Sequence, residues 1–248
     1  MENIPLLVVA GLLAGAMNAV AGGGSFVTFP TLVLLGLPPV AANATSTVAL
    51  FPGTIASTWA YRDGLTGVAG VSLRLLLPIS ILGGLVGALL LLFAPASTFD
   101  AVVPWLLLLA TLTFAGGREF GLALSRRLRI GTGTMLVCQF LISIYGGYFG
   151  GAVGLMMLAV WSLLDTTELK AMAPARTLLV SGANGAAVVC FVIAGAVRWP
   201  EMLAMLTSAI VGGYGAARVA KRLPPGLIRV LVLVLSATVT AWFFLRRG

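Results

Sequence analysis

The 248-residue chain contains no histidine, two cysteines and only seven acidic residues. Without histidine there is no base for a Ser-His-Asp triad, and the commonest carrier of an intramembrane proton relay is missing. Cys138 and Cys190 both lie in apolar runs and read as small buried hydrophobes; two cysteines without histidine make no metal site. No Gly-x-x-x-x-Gly-Lys-Ser/Thr loop occurs, which disfavours a nucleotide-driven pump. Gly23-Gly24-Ser25 has a Gly-x-Ser look, but a Ser–Lys dyad would need Lys170 or Lys221, both in loops. An enzyme is therefore not expected, and neither is a cofactor. Charge is also scarce, at 9% of residues, and none occurs in the 59 residues from Asn3 to Tyr61. No soluble domain of useful size fits such a sequence.

What is present is 60% hydrophobic, with 31 glycines and 12 prolines, the composition of an integral membrane protein. A helical span takes about 20 apolar residues, and further charge-free intervals run over Leu75 to Phe99, Ile130 to Leu164 and Thr177 to Val197. Barrel strands alternate apolar with polar residues; these runs do not, so helices are expected. The first segment follows the acidic Glu2 and continues far into apolar sequence, unlike a cleaved signal peptide. Ten helical segments are predicted, at 4–20, 25–36, 41–61, 72–93, 101–115, 131–147, 151–164, 173–195, 201–217 and 227–245. Segments 25–36 and 151–164 are short for a crossing, so the first two in each half read as hairpins of half-helices that either cross or re-enter. Broken backbone at that depth must be buried in protein or line a wet cavity.

The net charge of +8 reads as topology rather than as a nucleic-acid surface, because the basic residues sit in short loops. Arg62 and Arg74 flank one loop, Arg118, Arg126, Arg127 and Arg129 the central one, and Arg218, Lys221, Arg222 and Arg229 a third. With Lys170 and Arg176, a cytoplasmic placement of these loops puts 12 of the 15 basic residues inside, leaving Arg198, Arg246 and Arg247 outside with both termini. Trp199 and Trp242 fall near the outer boundary, Trp59 and Tyr61 near the inner one.

The order of features recurs. Gly22-Gly23, an apolar stretch, a turn and a long helix near Asn43 are echoed by Gly150-Gly151, an apolar stretch, Asp165-Thr166-Thr167 and a long helix near Ala173. The offset is 128 at the glycines and 129 at Pro52-Gly53 against Ser181-Gly182. A first transmembrane repeat at 1–117, a basic cytoplasmic linker at 118–129 and a second repeat at 130–248 follow. A hairpin plus three crossings is an odd number, so the second half is inverted relative to the first. Inverted repeats with Gly-interrupted segments are a signature of secondary transporters, with substrate bound near the midplane.

The run from Gly15 to Ser25, with Phe29-Pro30 and Ala42 to Thr47, resembles the first repeat of the TauE/SafE (DUF81) family of bacterial membrane permeases. Gly146 to Gly154, Leu169-Lys170 and Arg176 to Asn184 resemble its second repeat. The resemblance covers nearly the whole chain. It implies a transporter of the bacterial inner membrane, often an exporter of sulfite, sulfonates or related organosulfur anions. One departure is Gly150-Gly151-Ala152, where the family usually has a fuller glycine cluster. Another is Arg176, where lysine is also common.

Two readings of the glycine motifs stay open. They let helices pack closely, or they expose N–H groups at half-helix N-termini, where the helix dipole favours an anion. Three consecutive amides plus Ser25 would suit a small oxyanion. Asn18, Asn43, Thr45, Ser46, Thr47, Gln139, Ser181 and Asn184 are polar residues placed toward the interior; hydroxyls can bond their own helix, whereas buried Asn must find partners at both ends of its amide. Arg176 either snorkels to the headgroups or faces a cavity and binds a carboxylate, sulfite or sulfonate in a bidentate manner. No acidic residue lies deep in a span, so coupling runs through the substrate's own protonation or a boundary carboxylate such as Asp165 or Glu168, or is absent.

The expectation is thus an all-α polytopic membrane protein of two inverted repeats, acting as a carrier that exports a small anion, with a small-anion channel as the alternative. The expected substrate-binding set is Asn18, Gly22, Gly23, Gly24, Ser25, Asn43, Thr45, Ser46, Gly150, Gly151, Arg176 and Asn184. Expected partners are the anion, the lipid bilayer and, as an option, a second copy of the chain as a homodimer, with no nucleic acid.

Overall fold

A computed structural model describes residues 4–20, 23–68, 70–125, 131–161, 172–219 and 225–245. Among these the chain forms ten α-helices: α1 (Ile4–Val20), α2 (Ser25–Leu34), α3 (Pro39–Ala60), α4 (Leu73–Phe93), α5 (Ala96–Ser125), α6 (Thr132–Phe149), α7 (Val153–Trp161), α8 (Ala173–Ile193), α9 (Trp199–Val219) and α10 (Pro225–Leu245). They match the ten predicted segments in order. The largest difference is α5, which starts before residue 101, continues through Pro104 and runs past 115 to Ser125. Residues 118–125 of the expected linker thus extend this helix, while 126–130 lie outside the described residues. The Arg-Glu-Phe-Gly-Leu-Ala-Leu-Ser stretch is charged at its start but mostly made of good helix formers.

By length and composition, Leu73–Phe93, Ala96–Thr113 and Ala173–Ile193 are each long and apolar enough to cross a bilayer, among the described residues. Large side chains on several helices face outward, including Leu34, Leu82, Phe93, Trp105, Ile193 and Leu245. Exposure on this scale suits lipid rather than water. With ten residues, α2 extends about 15 Å, half of a hydrocarbon core of about 30 Å.

The helices divide between two compact units interleaved along the sequence. Unit 1 holds Met1–Gly53, Leu92–Thr111 and Phe191–Gly248; unit 2 holds Thr54–Leu91 and Leu112–Cys190. In unit 1, α1 and α9 meet backbone to backbone. A Cβ added at Gly11 would lie 2.7 Å from the Met205 carbonyl, at Gly15 2.7 Å from Ala209 Cα, and at Gly212 2.7 Å from Leu12 Cα. Small residues permit this approach, which is how helices associate without a hydrophobic drive between them. Residues Phe26 to Val33 of α2 are all buried. Phe29 stacks on Phe243 of α10, with centroids 5.5 Å apart, and meets Phe99 of α5 edge-on at 6.2 Å.

Unit 2 repeats the device with other helices. A Cβ at Gly83 of α4 would stand 2.6 Å from Ser143 Cβ, and one at Gly87 2.7 Å from the Tyr148 nitrogen, both on α6. Gly84 meets Ala183 of α8 as closely, and Gly147 of α6 meets Gly84. The core of this unit gathers Leu76, Met135, Ile142, Met157, Trp161 and Leu179. Inside it Gln139 of α6 joins three helices. Its Nε2 donates to Ser80 Oγ of α4 at 2.8 Å, and its Oε1 accepts from Trp161 Nε1 of α7 at 3.2 Å. Ser143 Oγ donates back to the Gln139 carbonyl at 2.7 Å. Every member is buried and paired, the arrangement in which a buried polar network holds its helices in one geometry.

Candidate functional site: two broken helical hairpins

Each unit carries one hairpin whose backbone breaks at glycine. In unit 1 the described part of α1 ends at Val20 and α2 starts at Ser25, with Gly24 as its N-cap. Gly22 lies outside the described residues. The Gly24 N–H donates to Asn18 Oδ1 at 3.0 Å, so a side chain of the preceding helix caps the new one. The N–H groups of Phe26, Val27 and Thr28 already turn back onto the Gly23 and Gly24 carbonyls. Gly23 is buried beside this cap, and Ser25 is half-buried.

The polar start of α3 belongs to the same unit. Asn43, Thr45 and Ser46 are essentially inaccessible. Thr28 Oγ1 and Ser46 Oγ lie 2.5 Å apart, tying α2 to α3. Thr45 Oγ1 accepts the Arg198 N–H at 3.0 Å, just before α9 begins. Thr47 donates to the Asn43 carbonyl at 2.9 Å. Of the eight site residues expected in this half, then, the Asn18 side chain, the Gly24 N–H and the Thr45 and Ser46 hydroxyls make hydrogen bonds between elements. Each braces one element against another.

The hairpin of unit 2 breaks differently. Gly150 caps α6 in the left-handed region at φ 76°, and Ala152 takes φ 58°, the one described non-glycine residue with positive φ. A side chain there costs roughly 1–2 kcal/mol relative to glycine, yet Ala152 is buried and its carbonyl accepts the Leu155 and Met156 N–H groups that open α7. Gly151 lies beneath Phe149; a Cβ would meet that ring at 2.8 Å.

Arg176 comes from the first turn of α8 and is half-buried. Its N–H bonds the Met172 carbonyl, and its side chain runs along the first turn of α7, with Cδ 3.1 Å from the point a Cβ on Gly154 would occupy. Val180, one turn further along α8, reaches the same point at 3.6 Å. The aliphatic stem of Arg176 thus packs on the first turn of α7. Among the described residues the one ion pair is Arg62 with Asp63, at 3.7 Å. Asp165, Glu168 and Lys170 fall outside the described residues. Asn184, two turns beyond Arg176, is buried, and its Oδ1 receives no hydrogen bond from a described residue.

Of the expected set, Asn18, Gly23, Gly24, Ser25, Asn43, Thr45 and Ser46 thus fall in unit 1, and Gly150, Gly151, Arg176 and Asn184 in unit 2. Gly154 was absent from the expected set although it closes the Gly146 to Gly154 motif; what marks it is the arginine it admits. Ser80 and Trp161 were missed as well. The i, i+4 pair Gln139 and Ser143 was the available signal for that network.

Spanning-length apolar helices, outward-facing large side chains and two glycine-broken hairpins define a multi-pass helical membrane protein. The family model for the sulfite exporter TauE/SafE matches residues 7–243, and the chain belongs to that family. It is 27% identical over 238 residues to the probable membrane transporter protein YfcA of Escherichia coli K12, covering 95% of this chain and 87% of the relative. A probable membrane transporter protein of Haemophilus influenzae is 29% identical over 243 residues, covering 97% and 94%. The probable membrane transporter protein ORF9 of a Sinorhizobium species is 29% identical over 239 residues, covering 94% and 89%. No solved structure matches the chain.

Proposed function

We propose that the protein is a secondary carrier that moves a small oxyanion, sulfite or an organosulfur anion, out of the cell. The observation that carries this reading is the cation at the second hairpin. Arg176 packs its stem against Gly154 where α7 begins, and an anion reaching the guanidinium would lie toward the positive end of the α7 dipole. The family supports transport as the activity, because its relatives are named probable membrane transporters. Its description supports sulfite and export.

An inverted-repeat architecture is supported by the recurrence of the packing: α1 against α9 in one unit corresponds to α6 against α4 in the other, each through glycines. A carrier of this kind exposes its site alternately to the two sides. The concentration of basic residues in one set of loops supports a cell-membrane orientation with both termini outside. The test is uptake and efflux of radiolabelled sulfite, sulfate, alkanesulfonates and small carboxylates in proteoliposomes, with and without a pH gradient. Saturable flux of a sulfur oxyanion is expected. Flux that rises linearly with concentration would favour a channel, and no anion flux from well-folded protein would defeat the reading.

A further inference from the structure

We infer that Pro52-Gly53 is a hinge inside α3, and that bending there is the movement by which the carrier changes the side its site faces, an inference that rests on the carrier reading above. The two halves of α3 are held by different partners. In the first half Ser46 bonds Thr28 of α2 and Thr45 accepts the Arg198 N–H at 3.0 Å, both partners in unit 1. In the second half Thr58 Oγ1 and Ser181 Oγ of α8 lie 2.8 Å apart, and a Cβ on Gly64, just past the helix, would stand 3.0 Å from Pro174 Cγ, both partners in unit 2. The helix passes from one unit to the other between Gly53 and Thr54.

At that joint the helix is built to give way. Pro52 has no N–H to offer the Val48 carbonyl, and its ring crowds the preceding turn, which removes one rung of the helical ladder. Gly53 follows, with the widest backbone freedom of any residue. Both are exposed, and a Cβ on Gly53 would find no atom of another element within 4 Å. The position 129 residues on is built the other way: Ser181 stands in place of proline, and a Cβ on Gly182 would meet Leu77 Cδ1 at 2.7 Å. Of the other helices that change units, α4 and α8 do so within their last turn. Only α5 also crosses at mid-length, one turn before Gly116, where a Cβ again meets nothing. Because a side chain fits at Gly53 without a clash, a change of rate there reports bending rather than packing.

The test uses the full chain in proteoliposomes with radiolabelled sulfite. Leucine favours helix over glycine, so Gly53→Leu stiffens the joint and should slow flux about fivefold, with melting temperature not lowered and sulfite affinity by calorimetry within about twofold of wild type. Gly133→Leu, at a glycine with equal room at the start of α6, should leave flux unchanged. Flux in Gly53→Leu no slower than wild type overturns the hinge, and so does an equal slowing in Gly133→Leu. Slow flux with weakened sulfite binding overturns it too, since Gly53 would then be a wall of the anion path. Amide exchange on the wild type decides independently of any variant. A peptide over 50–56 should exchange about tenfold faster than one over the middle of α4, which is also exposed at Ile81 and Leu82; equal protection overturns the hinge. Absence of sulfite or other anion flux from the wild type overturns the carrier reading and leaves the exchange result to decide whether α3 bends there.

Discussion

The two hairpins start alike in sequence, with paired glycines before a short apolar helix, and end up chemically opposite. At α2 the first free amide is taken by a neutral oxygen, Asn18 Oδ1, at 3.0 Å. At α7 the neighbour is a cation, since the stem of Arg176 lies along Gly154. A helix N-terminus capped by its own chain is a finished structural element. One against which an arginine stem packs has a cation on the neighbouring helix, and that pairing favours a negative ligand. Glycine breaks alone therefore do not set a hairpin's chemistry; the side chain that arrives from the neighbouring helix does.

The comparison breaks most sharply at Arg176. Arg176→Ala should reduce anion flux at least a hundredfold while membrane expression stays normal, because the desolvated charge-assisted pair is worth roughly 3 kcal/mol or more. Arg176→Lys should recover part of it, as the charge remains and the fork is lost. Flux assays on equal amounts of reconstituted protein decide this. Next comes the packing each unit relies on. Gly15→Leu in unit 1 and Gly87→Leu in unit 2 should each cost 1–3 kcal/mol or more, roughly the penalty for overpacking, since their missing Cβ positions are filled by Ala209 and by Ile144 with Tyr148. Thermal unfolding in detergent measures it.

Gln139→Leu should cost about 1–3 kcal/mol, because it strands the Trp161 indole N–H in the core; the same unfolding assay tests it. Asn18→Ala sharpens the contrast between hairpins. Loss of the cap should cost about 1 kcal/mol, with anion KM within twofold of wild type, whereas an anion site at α2 would show a changed KM. The smallest effect is expected at Ala152→Gly. It relieves a positive φ and should raise stability by up to about 1 kcal/mol, seen as a small rise in melting temperature.

Most of the helical order was legible because apolar length, glycine breaks and loop charge are local signals. The prediction for α5 was short at both ends: it ran over 101–115 with a linker from 118, yet the helix extends from Ala96 through Pro104 to Ser125. Proline bends a helix without necessarily ending it, and Arg, Glu, Leu and Ala all favour helix. The glycine hairpins were legible as breaks but not in their chemistry. Nothing in the residues around Asn18 says that its amide turns six residues forward to Gly24. Nor does spacing alone bring Gly154 and Arg176, 22 positions apart, into contact. Thr45 and Ser46 were read as ligand groups because they are polar and buried, and burial is right. Their hydroxyls bind Arg198 N–H and Thr28 because α9 and α2 arrive there, which is a property of tertiary packing.

The central claim is that the second hairpin, rather than the first, holds the anion. Calorimetric titration of sulfite into purified wild type, Arg176→Ala and Asn18→Ala tests it most directly, since it reads binding without requiring transport. The account predicts saturable binding to the wild type, retained in Asn18→Ala and lost in Arg176→Ala. Unchanged binding in Arg176→Ala, with loss in Asn18→Ala, would contradict it and move the site to α2.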